Sequence, residues 1–223
     1  MKFDAVLFDC DGVLVDSEPI TNGVLRDMLG ELGWHMTQRQ CMELFVGKAL
    51  KEETEMIGRH TGRPVGAEWM LAFQERRNTA LLERLAAIPN IHVAVHDIHA
   101  QFGGRIACAS GADRFKVEMQ LCKVGLMQYF EGRIFSGYET PRSKPFPDVY
   151  LAAAEALQVD PRRCAVVEDT VTGVSAGVAA GARVFGYSPT VGAATLIAAG
   201  ASAVFADMAE LPLLLTRESH ASP

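Results

Sequence analysis

At 223 residues, with 49% apolar and 22% charged side chains, the chain is long enough to bury a substantial core as one large domain or as a core with an inserted module, which excludes a disordered or fibrous class. A net charge of -6 without a long basic run gives a nucleic-acid partner no electrostatic support, and no apolar stretch is long enough to cross a bilayer. Five cysteines, Cys10, Cys41, Cys108, Cys122 and Cys164, are odd in number and scattered, which points to reduced, mostly buried thiols rather than a disulfide framework or a CxxC metal site.

The N-terminal MKFDAVLFDCDG passes from one lysine straight into an apolar run. It lacks the longer apolar region and cleavage site of a secretory signal, so a cytoplasmic protein is expected. Phe3–Phe8 suits a strand buried on both faces. From Glu18 to Ala87 no strand pattern occurs, only glycine-punctuated helical stretches at Glu18–Leu32, Gln38–Phe45, Leu50–Arg59 and Ala67–Ala86. In the first of these Val24, Leu25, Met28, Leu29 and Leu32 make an apolar face at helical spacing. A run of helices this long does not fit one crossover, so residues 16–87 are expected to form a small helical domain inserted into a core of residues 1–15 and 88–223. Beyond Ile88-Pro89-Asn90, strand runs recur at Arg105–Ala109, Arg133–Phe135, Ala165–Val167 and Arg183–Phe185, with a weaker one at Ala203–Phe205. Helical patterns at Asp113–Val124, Pro147–Leu157, Val171–Ala180 and Ala193–Ala199 lie between them. This alternation predicts an α/β fold, a doubly wound parallel sheet with a Rossmann-like core. Thr216 to Pro223 reads as a frayed tail.

The candidate chemistry lies at the ends of the strand runs. Asp9 and Asp11 leave the first run on one side, with Cys10 pointing the other way. Ligands of open α/β sheets bind outside the carboxyl ends of the strands, and two carboxylates there suit a hard divalent cation. Gly12 permits the tight backbone that a close approach needs. Val167-Glu168-Asp169-Thr170 brings a second acidic pair to the same edge, which together would make an oxygen-rich pocket for Mg²⁺. Ser110 and the backbone N–H groups from Gly111 onward open a helix, a ready anion site. Lys144, in Arg142-Ser143-Lys144-Pro145-Phe146-Pro147, can neutralise a phosphate or a carboxylate. One such motif is an ordinary acidic turn; four at successive strand ends are a constellation.

FDCDGVLVDSE resembles the first motif of the haloacid dehalogenase-like superfamily of Mg²⁺-dependent phosphohydrolases, with Asp9, Asp11, Gly12, Val13, Leu14 and Asp16 matching its pattern. Ser110 is similar to the second motif, Lys144 in KPFPDVY to the third, and Glu168-Asp169 in VVEDTVTGVSAG to the fourth. The helical insertion stands where the subgroup with a small helical cap carries it. The resemblance implies that Asp9 is the nucleophile and forms an aspartyl-phosphate, and that Asp11 is the general acid and base. It implies a Mg²⁺ held by Asp9, the Asp11 backbone carbonyl and Asp169, with Glu168 nearby, and a phosphoryl group bound by Ser110, Gly111 and Lys144.

Substrate choice is expected in the cap, at Gly47-Lys48-Ala49 and at Arg76, Arg77 and Asn78; for the arginines a solvated helix face is an equal reading. The substrate implied is a small phosphomonoester, a sugar or sugar-acid phosphate such as 6-phosphogluconate, and a monomer is favoured. The alternative is a phosphosugar mutase of the β-phosphoglucomutase type, but Thr21 stands where that group has a cap-hinge histidine. A nucleotide-binding module is disfavoured, since DCDGVLVD occupies the place of a dinucleotide fingerprint, and Gly173, Gly177 and Gly181 read as helix–sheet packing on one helix. His92, His96 and His99 have helical metal spacing but lie beside a face defined by Ile91, Val95, Ile98 and Phe102, and read as a surface stripe.

Overall fold

The computed structural model describes residues 3–48, 50–189 and 192–217. The chain divides into two compact units, Met1–Val15 with Ala87–Pro223, and Asp16–Ala86. The first begins with strand β1 (Ala5–Phe8). The second contains helices α1 (Glu18–Glu31), α2 (Gln38–Phe45), α3 (Thr54–Thr61) and α4 (Ala67–Arg84). The first then resumes with α5 (Ile91–Gln101), β2 (Ile106–Ser110), α6 (Arg114–Lys123), α7 (Met127–Phe130), β3 (Ile134–Ser136) and α8 (Asp148–Ala156). It ends with β4 (Cys164–Glu168), α9 (Val171–Ala179), β5 (Arg183–Tyr187), α10 (Ala193–Ala198), β6 (Ala203–Phe205) and α11 (Leu211–Arg217).

The six strands form one parallel sheet in the order β3-β2-β1-β4-β5-β6. It is doubly wound, as expected. Side chains alternate across β1: Ala5 and Leu7 join a core with Val149 and Ala153 of α8, Val174 of α9 and Leu196 of α10. Phe8, on the opposite face, meets Phe130 of α7 edge-on at 6.0 Å. Strands buried on both faces explain why each run is continuously apolar rather than alternating. The strand order reverses at β1 and β4, and a crevice forms at such a switch point outside the carboxyl ends. Here the two acidic motifs leave adjacent strands.

The helical unit has its own core. Leu25, Met28 and Leu29 of α1 pack with Cys41 and Phe45 of α2, Ile57 of α3 and Phe73 of α4, with Val24 and Leu32 partly buried against them. Thr37 and Gln40 close a capping box at the start of α2, and Gly62 ends α3 in the left-handed conformation that glycine tolerates best. In the first unit, Val15 bridges Ala87 antiparallel and Ile88 N–H donates to Leu14 at 3.2 Å, which joins the two ends of the chain that flank the insertion. Asn90 takes the left-handed conformation (φ 64°) ahead of α5, which Asn accepts more readily than most residues, and donates to Asp207 Oδ1 at 2.8 Å.

Several expected elements are corrected. The expected helix Leu50–Arg59 is a 3₁₀ turn at Leu50–Glu52 followed by α3. Gly181 lies beyond α9 at φ 83°, so the three glycines do not share one helix. Thr216 belongs to α11, packed on the core through Leu211 and Leu215, rather than to a tail, while 218–223 lie outside the described residues. No described helix is long and apolar enough to cross a membrane. All five thiols are free, and all but Cys122 are buried.

Candidate active site

β1 and β4 are neighbours in register, with Phe8 opposite Val167, and Asp9 N–H extends the ladder to the Val167 carbonyl at 3.0 Å. That pairing, from side chains more than 150 residues apart in sequence, brings oxygens of Asp9, Glu168 and Asp169 within 4.8 Å of one another, a group able to hold a metal ion. Asp9 is buried and Glu168 fully so. Repulsion among them is offset by Lys144, whose ammonium donates to Asp9 Oδ1 at 2.6 Å, Glu168 Oε1 at 2.7 Å and the Ala109 carbonyl at 2.9 Å. An ammonium has three donors, and all three are engaged. Its nitrogen also lies 4.8 Å from the centre of the Tyr150 ring, within cation–π range.

Glu168 is held from both sides. Its Oε1 also accepts from the Tyr150 hydroxyl at 2.8 Å. Its Oε2 accepts from Asp169 N–H at 3.0 Å, Thr170 N–H at 3.3 Å and Thr170 Oγ1 at 3.1 Å. Through these bonds Glu168 anchors Lys144 and the turn after β4, while its carboxylate belongs with Asp9 and Asp169 to the group able to hold a metal ion.

Two glycines make room for these carboxylates. A Cβ on Gly12 would stand 2.0 Å from Asp169 Oδ2, and Gly12 has φ 78°. On Gly173, in the first turn of α9, a Cβ would stand 1.7 Å from Glu168 Oε1. Gly177 packs the same helix on Val166 and Val184, as helix–sheet contact predicts. Gly12→Ala should lose roughly 1–3 kcal/mol of stability through left-handed strain and the clash with Asp169. An unchanged urea midpoint would contradict that.

Burial pushes the Asp9 carboxyl from 3.8 up to about 7 despite Lys144, with Glu168 and Asp11 adding to the rise. Burial opposes the Lys144 ammonium, but Asp9 and Glu168 outweigh it and hold its pKa well above the ordinary value. The folded Asp9 pKa exceeds the unfolded one, so folding takes up a proton between them. Its stabilising contribution is complete below 3.8 and is lost as pH rises through about 7. Metal-free protein should therefore gain melting temperature between pH 8 and pH 6, and Asp9→Asn should flatten that slope. Equal slopes in the two proteins would count against the assignment.

The remaining expected residues fall as follows. Ser110 is buried at the end of β2, and its hydroxyl accepts from Ala112 N–H at 3.1 Å, beside Gly111. Asp11 lies apart from the metal-capable cluster. Lys116 donates to both of its oxygens at 2.8 Å, and Gln120 Nε2 donates to Oδ1 at 2.9 Å. Neither Lys116 nor Gln120 carries a sequence signal, since polar residues on an amphipathic helix ordinarily face water. In the helical unit Gly47 has φ 76° and Lys48 lies 3.8 Å from Glu53; Ala49 lies outside the described residues. Arg76 is half exposed and paired with Glu31, so the solvated reading holds for it. Arg77 is buried, donates to Asn78 Oδ1 at 3.0 and 2.8 Å, and stands 5.8 Å from the Phe73 ring centre. His92 Nε2 lies 2.7 Å from the Val124 carbonyl oxygen and His96 Nδ1 3.3 Å from the Tyr129 hydroxyl; among the described residues these histidines form no metal-capable group.

A family model for haloacid dehalogenase-like hydrolases matches residues 3–181. The chain is 31% identical to the 6-phosphogluconate phosphatase of Escherichia coli K12 over 186 residues, 82% of each protein. It is 29% identical to hexitol phosphatase B of the same strain over 181 residues, 80% of this chain and 81% of that one. A HAD family hydrolase from Deinococcus radiodurans R1, solved with bound phosphate and sodium, superposes with a TM-score of 0.80 and 32% identity, covering 100% of this chain and 99% of that one.

Proposed function

This chain belongs to the haloacid dehalogenase-like hydrolases and is a phosphatase, and from that premise we propose that it is a Mg²⁺-dependent enzyme that hydrolyses a sugar or sugar-acid phosphate through a phosphorylated Asp9. The observation that carries this reading is the triad at the β1–β4 edge: Asp9 with one oxygen on Lys144, Asp169 beside it, and Glu168 fixing the lysine.

Hydrolysis of a phosphate monoester demands charge neutralisation and in-line positioning more than covalent assistance. A carboxylate oxygen of Asp9 attacks phosphorus while the bond to the ester oxygen breaks, and Asp11 gives that oxygen its proton. Asp11 then takes a proton from the water that attacks the aspartyl-phosphate, releasing inorganic phosphate and restoring Asp9. Ser110 and the Gly111 N–H hold phosphoryl oxygens, and Lys144 balances the charge of Asp9 and Glu168. Asp9 and Asp169, with the Asp11 carbonyl, would hold Mg²⁺; Gly12 leaves room for that approach, and the donors are the hard oxygens the ion prefers. When bound, the ion supplies electrostatic stabilisation of the transferring phosphoryl group.

The likeness to 6-phosphogluconate and hexitol phosphatases supports a six-carbon sugar or sugar-acid monophosphate as substrate. Phosphate release from 6-phosphogluconate, hexose 1- and 6-phosphates and phosphoglycolate, with Mg²⁺ and with EDTA, tests it. Release should need Mg²⁺ and be fastest on the C6 esters. Conversion of β-glucose 1-phosphate into glucose 6-phosphate without net release would overturn the reading in favour of a mutase.

A further inference from the structure

Lysine is almost never fully buried unless paired, and a fully buried glutamine needs partners for both ends of its amide. α6 buries both, Lys116 at 6% and Gln120 at 0% exposure. They lie one turn apart, on one face of the helix, and both reach the same carboxylate. Lys116 Nζ stands 2.8 Å from each oxygen of Asp11, and Gln120 Nε2 stands 2.9 Å from Oδ1. The other end of the Gln120 amide is occupied too, its Oε1 accepting from the Cys10 thiol at 3.6 Å.

The platform that presents them is fixed. Asp113 caps α6 by accepting from Lys116 N–H at 2.9 Å. Arg114 ties the first turn to Glu139 with two bonds of 2.6 Å and to the Ile134 carbonyl at 2.9 Å. Asp11 sits on the tight turn after β1, next to Gly12 at φ 78°. Three hydrogen bonds from two side chains of α6 fix the orientation of its carboxylate.

We propose that Lys116 and Gln120 are positioning residues of the phosphatase, a clamp on α6 that orients the Asp11 carboxylate for both of its proton transfers. The inference rests on the acid and base role assigned to Asp11 above. The clamp's bonds to the catalytic acids go to the Asp11 carboxylate, so its removal affects turnover through Asp11. An alkoxide leaving group needs the proton that Asp11 gives, whereas nitrophenolate, a stable anion, leaves without it. A misplaced Asp11 therefore spares the first step on an aryl ester and slows the hydrolysis of the phosphoenzyme that follows.

Lys116→Met and Gln120→Met are compared with Asp11→Asn, Asp9→Asn and the double variant Asp11→Asn/Lys116→Met, with melting temperatures recorded for each. On glucose 6-phosphate, kcat should fall about 100-fold in Lys116→Met and about tenfold in Gln120→Met, with KM within about threefold. On p-nitrophenyl phosphate both should release a first-turnover burst near one nitrophenol per active site, followed by slow turnover. In the Asp11→Asn background the Lys116 substitution should add nothing further. Absence of the nitrophenol burst, an additive loss in the double variant, or unchanged or raised kcat on glucose 6-phosphate would each overturn the clamp. If Lys116→Met does not fold, Gln120→Met, which leaves the ion pair in place, carries the test. Full turnover in Asp9→Asn would instead remove the phosphoenzyme reading itself, a separate outcome.

Discussion

Asp9→Asn should fold, bind Mg²⁺ more weakly and lose turnover by roughly four to six orders of magnitude, the scale on which removing a nucleophile acts. The reason is chemical rather than structural. An amide oxygen is a poor nucleophile toward phosphorus, and the variant keeps the shape of the site. Lys144 loses its charged partner at 2.6 Å but retains Glu168 at 2.7 Å and the Ala109 carbonyl at 2.9 Å. Burial already pushes the Asp9 carboxyl up to about 7, so a neutral side chain there relieves desolvation, and the metal-free variant should melt no lower than the parent at pH 8. Acid-quenched parent enzyme given a ³²P-labelled substrate should carry acid-stable, hydroxylamine-labile label, and the variant none. Turnover within tenfold of the parent would sink the nucleophile assignment.

Lys144→Met should be the most damaging substitution for stability. Its ammonium is the only cation that the structure places on both Asp9 and Glu168 among the described residues. Without it two buried carboxylates face each other, and breaking such a pair typically costs about 3–5 kcal/mol. The sign of the pH dependence follows. Burial already raises the Asp9 carboxyl and Lys144 opposes that rise, so without the lysine Asp9 binds its proton more tightly still when folded, and the loss should be largest at pH 8 and shrink toward pH 5. Mg²⁺ should restore more melting temperature to the variant than it adds to the parent, because it supplies positive charge to the same oxygens. Activity should fall about 10²- to 10³-fold, as when one stabilising group is removed from a preorganised site. Urea denaturation at the two pH values checks the sign; a pH-independent loss would contradict it.

What the sequence discloses about this site is what lies within a few residues along the chain. Strand runs end in acids at Asp9 and at Glu168-Asp169, a helix opens after Ser110, and each motif is local, so each is legible. The parallel sheet is legible for the same reason, because strands buried on both faces must be short continuous apolar runs joined by helices. Short elements are less so. The single turn of α7 and the last turn of α11 owe their helical form to packing of Phe130, Leu211 and Leu215 rather than to periodicity over a long window.

The division of labour among the acids is a different matter. Glu168 and Asp169 are one residue apart and chemically alike, yet Tyr150 and Lys144, brought in from α8 and the loop before it, engage Glu168 from the side opposite the β4 turn. Arg76 and Arg77 are adjacent on α4, and only the packing of the helical unit exposes one and buries the other. Lys116 meets Asp11 across 105 positions, and nothing in RFKVEMQLCK distinguishes it from a lysine in water until β2 is laid beside β1 and α6 is turned toward that edge. Residue types and their local spacing specify which chemistry is available, because strand ends and helix starts are set by neighbours in the chain. Which carboxylate attacks, which one braces a lysine and which one is clamped depend on long-range pairing, because burial and charge compensation are properties of the surroundings and not of the residue.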